Sequence, residues 1–171
     1  MDFKQHIRTV EDYPKPGISF KDITTLLREP ELFKAAIDAL AEHFEGQQID
    51  IVTGPEARGY IFACALAYRL GAGFVPVRKP GKLPHKTKRV SYALEYGEDA
   101  LEVHEDAFAP GQKVLVVDDL LATGGTIRAV CDLVEACGAD VVGVGFLIEL
   151  TFLNGREKLK GYDSFALVQY E

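Results

Sequence analysis

The residues best suited to chemistry lie in the segment 114–126, VLVVDDLLATGGT. Two adjacent acids, Asp118 and Asp119 (the acid pair), follow an apolar run that is typical of a buried strand. Carboxylates at such a strand end can accept hydrogen bonds from the two hydroxyls of a diol. The next five residues form what we call the phosphate loop: Ala122, Thr123, Gly124, Gly125 and Thr126.

The phosphate loop has the composition of an anion cradle. Glycines let the backbone approach an anion closely, and the N–H groups at the start of a following helix bind phosphate. The hydroxyls of Thr123 and Thr126 add further donors. A ligand with a diol and a phosphate, such as a ribose 5-phosphate, matches the acid pair and the loop together.

An ordinary acidic turn with a helix cap is the alternative, since Asp, Thr and Gly all favour such turns. We disfavour it because two ionised groups beside a buried strand are costly without a ligand or partner. Other phosphate motifs fail: no GxGxxG follows a strand, and Gly81-Lys82 lacks the P-loop spacing. A dinucleotide-binding oxidoreductase is therefore disfavoured as well.

The elements that must position these residues alternate along the chain. Alternating strands and helices indicate an α/β fold with a central parallel sheet flanked by helices. Ligands of such sheets bind beyond the carboxyl ends of the strands. The predicted strands are Ile49–Thr53, Phe74–Arg78, 113–118, Asp140–Ile148 and Ser164–Val168, and the predicted helices are 30–45, Ala57–Leu70, Thr126–Cys137 and Phe152–Leu159.

Charge patterning sets the middle of the chain apart. Residues 78–89 carry six basic and no acidic side chains, and residues 92–106 carry six acidic and no basic ones. Prolines and Gly81 make the basic stretch a loop. The acidic stretch is predicted to form a β-hairpin that stands off the sheet, and we expect 78–106 to act as a flexible lid. A solvated hairpin without a role is the alternative.

Composition limits the classes of protein. The 171 residues suit one domain, 1–171, and the net charge of −7 disfavours a protein that coats nucleic acid. No segment resembles a signal peptide or a membrane span, so we expect a cytoplasmic protein. The histidines show no metal-ligand spacing. The three cysteines, Cys64, Cys131 and Cys137, are predicted to be buried structural thiols.

At these residues the chain resembles the type I phosphoribosyltransferase family, and within it the members that act on adenine. The resemblance covers nearly the whole chain and includes an amino-terminal hood (1–30). It departs from the family at Ala57, usually serine, and Tyr60, usually phenylalanine, which puts one loop hydrogen bond in doubt. The matching segments are FKDITTLL at 20–27, EARGY at 56–60, VRKPGKLP at 77–84, SYALEYG at 91–97 and DDLLATGGT at 118–126.

The resemblance implies transfer of the phosphoribosyl group of 5-phosphoribosyl-1-pyrophosphate (PRPP) to adenine, with release of pyrophosphate. It implies that the acid pair holds the ribose diol and the phosphate loop the 5-phosphate. Arg58 would serve binding and catalysis at the pyrophosphate, helped by Arg78, Lys79 and Lys82. Glu95 is the candidate general base. The adenine site would be built from Ser19, Phe20, Lys21 and Leu121.

The resemblance also implies Mg²⁺ bound mainly through PRPP, with no metal site built by the protein alone, and a homodimer. Without the resemblance, the sequence would indicate that Arg58 is a surface charge, that Phe20 belongs to the core and that Glu95 is a cross-strand surface carboxylate. A phosphoribosyltransferase for xanthine, guanine or orotate remains an alternative function. A PRPP-sensing regulator without catalysis is less favoured, because such regulators usually add a DNA-binding domain and residues 1–48 read as hood and helix.

Overall fold

The computed structural model describes residues 1–94 and 97–171. The strands are β1 (Arg8–Val10), β2 (Phe20–Asp22), β3 (Ile51–Pro55), β4 (Gly73–Val77), β5 (Thr87–Ala93), β6 (Glu98–His104), β7 (Lys113–Leu121), β8 (Asp140–Leu150) and β9 (Ser164–Tyr170). The α-helices are α1 (Thr24–Leu27), α2 (Pro30–His43), α3 (Arg58–Leu70) and α4 (Gly125–Ala136). Short 3-10 turns occupy Phe3–His6, Thr151–Leu153 and Gly155–Leu159.

A five-stranded parallel sheet forms the centre, in the order β4-β3-β7-β8-β9. This confirms the predicted α/β class. Strand β7 occupies the middle position, and its residues 114–117 are fully buried because both faces of the sheet are covered. The acid pair therefore extends from the most enclosed strand of the sheet.

Two hydrophobic cores cover the two faces of the sheet. On one face Leu40 of α2, Phe44 directly after that helix and Phe62 of α3 are all nearly inaccessible to solvent. On the other face α4 and strand β6 contribute Val130 and Val103. Within the described ranges, no helix has the length and apolarity required to cross a membrane.

The β5–β6 hairpin is confirmed as antiparallel, with Thr87 opposite His104 and Ala93 opposite Glu98. Its predicted position was wrong: it does not stand off the sheet, and strand β5 begins inside the basic stretch. Leu101 and Val103 are buried in the core around α4. The acidic residues indicated an element that extends into solvent, but the apolar side chains among them pack on α4. The burial of these apolar side chains therefore decides where the hairpin lies.

The predicted helix at Phe152–Leu159 was also wrong, since this connection consists of two 3-10 turns joined at Asn154. Asn154 adopts φ +53°, a left-handed conformation that interrupts a right-handed helix. Asparagine is among the few non-glycine residues that adopt it readily. The residues Gly155–Leu159, here called the Gly155 turn, are consequently free to pack elsewhere.

The cysteines divide into two groups. Cys131 and Cys137 are buried as predicted, whereas Cys64 is exposed, so its predicted burial was wrong. Cys64 shares the outward face of α3 with Ile61 and Tyr68, which are 37% and 92% exposed. An apolar composition predicted a helix here but did not indicate that one face of it stays open.

Candidate active site

The acid pair lies in the last part of β7, which continues to Leu121 rather than ending at Asp118 as predicted. Asp119 is 4% exposed, and Asp118 is partly exposed. The Asp119 backbone N–H donates to Asp118 Oδ1 at 2.8 Å. A Cβ atom placed on Gly59 would stand 3.0 Å from the same oxygen, so the first turn of α3 packs directly against the pair.

The environment of the acid pair raises the pKa of both carboxyl groups. Desolvation raises the pKa of Asp118 well above its usual value, and the neighbouring Asp119 charge raises it further. Desolvation also raises the pKa of Asp119, against the opposing influence of the Arg58 guanidinium. Two carboxylates that have lost much of their hydration gain from hydroxyl donors, which is the chemistry a ribose diol offers.

Arg58 connects the acid pair to the hood. Its Nε lies 3.0 Å from Asp119 Oδ2, and its guanidinium carbon lies 5.5 Å from the centre of the Phe20 ring. Phe20 in turn contacts Tyr13 edge to face, with 5.2 Å between ring centres. Arg58, predicted to bind pyrophosphate, therefore contacts both Asp119, predicted to bind ribose, and Phe20, predicted to bind the base.

The phosphate loop forms a cleft of about 220 Å³ with Arg58 and the acid pair. Helix α4 begins at Gly125, and among the described residues no side chain caps its amino terminus. Its first N–H groups are therefore available to an anion at the loop, as in known phosphate sites. Tyr92 of β5 approaches from the other side, with its hydroxyl 3.3 Å from Thr126 Oγ1.

The Gly155 turn supports the phosphate loop from behind, a role that the sequence did not reveal. A Cβ on Gly124, which has φ +83°, would lie 2.5 Å from the Gly155 carbonyl oxygen. A Cβ on Gly155 would lie 2.3 Å from the Ala122 carbonyl oxygen. Both contacts require glycine. The asparagine-glycine pair at 154–155 was the available signal, because it breaks a helix and marks a turn.

The basic residues of the loop after β4 converge on Glu56, not on the cleft. Arg78 Nε lies 3.3 Å and Lys82 Nζ 2.7 Å from the Glu56 carboxylate, and the Lys79 backbone N–H donates to it at 2.8 Å. The Lys79 side chain pairs with Asp99. Burial alone would raise the pKa of Glu56, but Lys82, the Lys79 N–H and Arg78 lower it below its usual value.

Glu56 was not among the predicted site residues, although it lies two positions before Arg58. Its carboxylate holds the side chains of Arg78 and Lys82, two of the three cations that were expected to bind pyrophosphate. The sequence signal was an acid two positions before Arg58 in a segment that contains glycine, which by itself does not distinguish an ion pair from a surface charge.

The predicted adenine residues lie on the hood and on β7. Ser19 Oγ donates to Glu11 at 3.2 Å, and Lys21 Nζ donates to Ser19 Oγ at 3.1 Å while lying 4.4 Å from the Tyr170 ring centre. Leu121 is 1% exposed. Its neighbour Leu120 is partly exposed and lines the same cleft, so Leu120 supplies the apolar surface that a base can contact.

The two departures from the resembling family each have a local consequence. Helix α3 starts after Ala57 without a side-chain cap, a bond that a serine can make. The additional hydroxyl of Tyr60 donates to the Val77 carbonyl at 2.8 Å and ties α3 to β4. Glu95, the candidate general base, lies outside the described residues. Among the residues described, no three His, Cys, Asp or Glu side chains gather as a metal site.

Comparison with known proteins agrees with this geometry. Residues 22–165 match the family model described as a phosphoribosyl transferase domain. An adenine phosphoribosyltransferase of Symbiobacterium thermophilum is 72% identical over 170 residues, which cover 99% of this chain and 100% of that one.

Two solved structures extend the comparison to the fold. The adenine phosphoribosyltransferase of Thermoanaerobacter pseudethanolicus superposes with a TM-score of 0.96 at 54% identity, covering 99% of this chain and 98% of that one. The enzyme of Saccharomyces cerevisiae, solved with an imino-altritol bisphosphate and adenine, has a TM-score of 0.92 at 41% identity, with 97% and 96% covered.

Proposed function

Because this chain belongs to the adenine phosphoribosyltransferase family, we propose that it transfers the phosphoribosyl group of PRPP to adenine, forming AMP and pyrophosphate. The observation that carries the proposal is the meeting of the acid pair, the phosphate loop and Arg58 in one cleft. PRPP has a ribose diol, a 5-phosphate and a pyrophosphate, which match the carboxylates of the acid pair, the N–H donors of the phosphate loop and the guanidinium of Arg58.

The reaction joins adenine N9 to C1 of the ribose as pyrophosphate leaves. Positive charge grows on the sugar and negative charge on the leaving group, so catalysis depends on orientation and fixed electrostatics. We assign the acid pair to the diol, on the side where cationic character grows. We assign Arg58 to the leaving pyrophosphate, because its guanidinium already stands beside the pair.

The cations Arg78, Lys79 and Lys82 are assigned to the pyrophosphate once the loop rearranges. In the present arrangement Glu56 neutralises two of them and binds the backbone of the third. A pyrophosphate carries more charge than one carboxylate and competes for the same donors. Binding of PRPP would thus exchange an internal ion pair for ligand contacts.

Adenine is assigned to the space between Phe20 and the leucines that end β7. Phe20 offers a ring face and Leu120 an apolar side chain, both of which suit any purine. Selection of adenine over guanine must then come from polar groups at the base edge, for which the backbone near Ser19 and Lys21 is our candidate. Glu95 is assigned as the base that takes the N9 proton.

Mg²⁺ fits this donor set as a partner of the substrate. Mg²⁺ prefers oxygen ligands and is commonly held by one or two carboxylates together with substrate phosphates and water. Asp119 is already paired with Arg58, which leaves Asp118 as the carboxylate with spare acceptor capacity. When bound, the ion would neutralise charge on pyrophosphate.

We further propose a homodimer and a cytoplasmic location. The exposed Ile61 and Tyr68 on α3 offer apolar surface to a second copy. The described cysteines are all free thiols, the usual state in a reducing compartment.

Substrate competition tests the proposed function. Purified protein with PRPP, Mg²⁺ and one base at a time is assayed for nucleoside monophosphate by chromatography. We expect AMP from adenine, only in the presence of Mg²⁺, and much slower reactions of hypoxanthine, guanine, xanthine and orotate. Equal use of guanine would reject the adenine assignment, and no product from any base would reject the enzymatic function.

A further inference from the structure

A lysine that has no role in the site described so far lies beside the phosphate loop. Lys158 belongs to the Gly155 turn and lines a second cavity, of about 350 Å³, together with Tyr92, Ala93, Thr123, Gly125 and Thr126. This cavity shares three residues of the phosphate loop with the cleft that contains Arg58. The loop is therefore bordered on one side by the acid pair and Arg58, and on the other side by Lys158.

The position of Lys158 is close to the start of α4. A Cβ built on Gly125 would lie 3.6 Å from Lys158 Nζ and 3.7 Å from the Tyr92 ring. The backbone that carries Lys158 cannot drift far, because Gly155 packs directly on Ala122 and Gly124. The packing of Gly155 against the phosphate loop therefore also fixes the position of the Lys158 ammonium group near Gly125.

With the described residues alone, this placement is electrostatically unfavourable in the absence of an anion. The amino terminus of a helix carries a partial positive charge, so a cation there is repelled. No residue of the phosphate loop has a charged side chain, and α4 has no side-chain cap. The nearest other cation of the cleft, Arg58, is paired with Asp119. A phosphate monoester with nearly two negative charges would relieve the repulsion and satisfy the N–H groups together.

We propose that Lys158 contacts the 5-phosphate of PRPP and of AMP and supplies the positive charge that the phosphate loop itself lacks. The inference rests on the proposed function, since it names a further binding residue of that site. Lys160 makes a matched comparison: it lies two residues away on the surface and pairs with Glu157 at 2.5 Å.

The test compares two ligands that differ only in the 5-phosphate. Binding of AMP and of adenosine to wild type, Lys158→Gln, Lys158→Arg and Lys160→Gln is measured by titration calorimetry at one ionic strength. We expect Lys158→Gln to lower the affinity for AMP about tenfold, which corresponds to roughly 1.4 kcal/mol of binding free energy. The affinity for adenosine should not change. Lys158→Arg should retain most of the AMP affinity, and Lys160→Gln should bind both ligands as wild type does.

Several results would overturn the inference. One is unchanged AMP affinity in Lys158→Gln when wild type binds AMP. Another is an equal loss for AMP and adenosine, which would indicate a general disturbance of the cleft. Failure of wild type to bind AMP at all would instead reject the proposed function, and the inference with it. Thermal unfolding of each variant checks that the exposed substitution leaves the fold intact.

Discussion

At the scale of single residues, the acid pair places function and stability in opposition. Asp118 and Asp119 lie on the central strand, where burial and mutual repulsion disfavour their charged forms. The positive charge of Arg58 stabilises the ionised form of Asp119 through direct contact, and that of Asp118 to a smaller extent. A ligand that donates hydroxyls to both oxygens recovers part of this cost, so the free protein holds its site at some expense of stability.

We predict that Asp118→Asn stabilises the free protein at neutral pH while it impairs catalysis. The folded-state pKa of Asp118 is raised, so the folded state binds the proton more tightly than the unfolded state. Its ionisation therefore costs stability as pH rises through the unfolded value of about 3.8. Asparagine keeps the oxygen that accepts from Asp119 N–H but carries no charge. The unfolding temperature at pH 7 should rise, and the gain should vanish at acidic pH.

The same variant should lose about ten- to a hundredfold in turnover, because a hydrogen bond to a charged group contributes roughly 1.5–3 kcal/mol. Thermal unfolding at both pH values and steady-state kinetics measure the two effects. Asp106→Asn, at an exposed position beyond the hairpin, is the control and should change neither. A lower unfolding temperature at pH 7 would contradict the assigned cost, and wild-type turnover would contradict the assigned role.

Glu95 carries the proposal about proton transfer. Glu95→Gln keeps the size of the side chain and removes the base, so we expect kcat to fall by about 10² or more while KM for adenine changes little. A loss below about threefold, well under the usual contribution of a general base, would show that solvent or another group accepts the N9 proton.

At the scale of elements, the phosphate loop depends on a segment that follows it by some thirty positions in the sequence. The backbone of Gly155 packs closely against Ala122 and Gly124. Rigid support of this kind holds N–H donors in place before the ligand arrives, which reduces the entropy lost on binding.

Gly155→Ala should therefore displace the phosphate loop. Its new Cβ would overlap the Ala122 carbonyl oxygen at 2.3 Å, so one of the two segments must move. We expect lower stability and, in the protein that remains folded, weaker binding of AMP by calorimetry. Gly143→Ala is the control, because its Cβ would overlap the Phe44 ring at 2.5 Å, away from the loop. That variant should lose stability but keep its AMP affinity, and equal affinities in both variants would contradict the coupling.

At the scale of the whole molecule, the sheet order brings remote segments to one edge. Strand β7 supplies the acid pair, β3 leads to Arg58, and both end at the same edge because the strands are parallel. The hood reaches this edge through Phe20, and the hairpin reaches it through Tyr92. The loop cations are the exception, since they remain with Glu56.

We predict that the chain is a homodimer in solution and that a cation of the loop after β4 acts in the neighbouring site, for which Lys82 is the test position. Sedimentation should give twice the mass of the chain. Lys82→Ala and Asp118→Asn should each be weakly active alone, whereas their co-expression should restore activity, because a mixed dimer contains one site with neither change. A monomer, or no recovery in mixed dimers, would contradict the prediction. Each variant expressed alone sets the level of activity expected without complementation.

Local sequence patterns were sufficient to predict several of the helices and strands of this protein. The valine run before the acid pair, the glycines of the phosphate loop and the amphipathic spacing of residues 30–45 predicted β7, the start of α4 and helix α2 within a few residues. Each of these signals is local: apolar periodicity reports which face is buried, and glycine and threonine report backbone conformation and capping. The identification of the family rests on the same segments.

Only the tertiary structure decided which elements touch. The hairpin was predicted to stand off the sheet, but Leu101 and Val103 pack on α4. The Gly155 turn was predicted as a helix, although its backbone supports the phosphate loop and carries Lys158 to it. Glu56 was overlooked, although it holds the loop cations. These contacts join residues distant in sequence, and their energies depend on burial and on which charges meet, which no local pattern records.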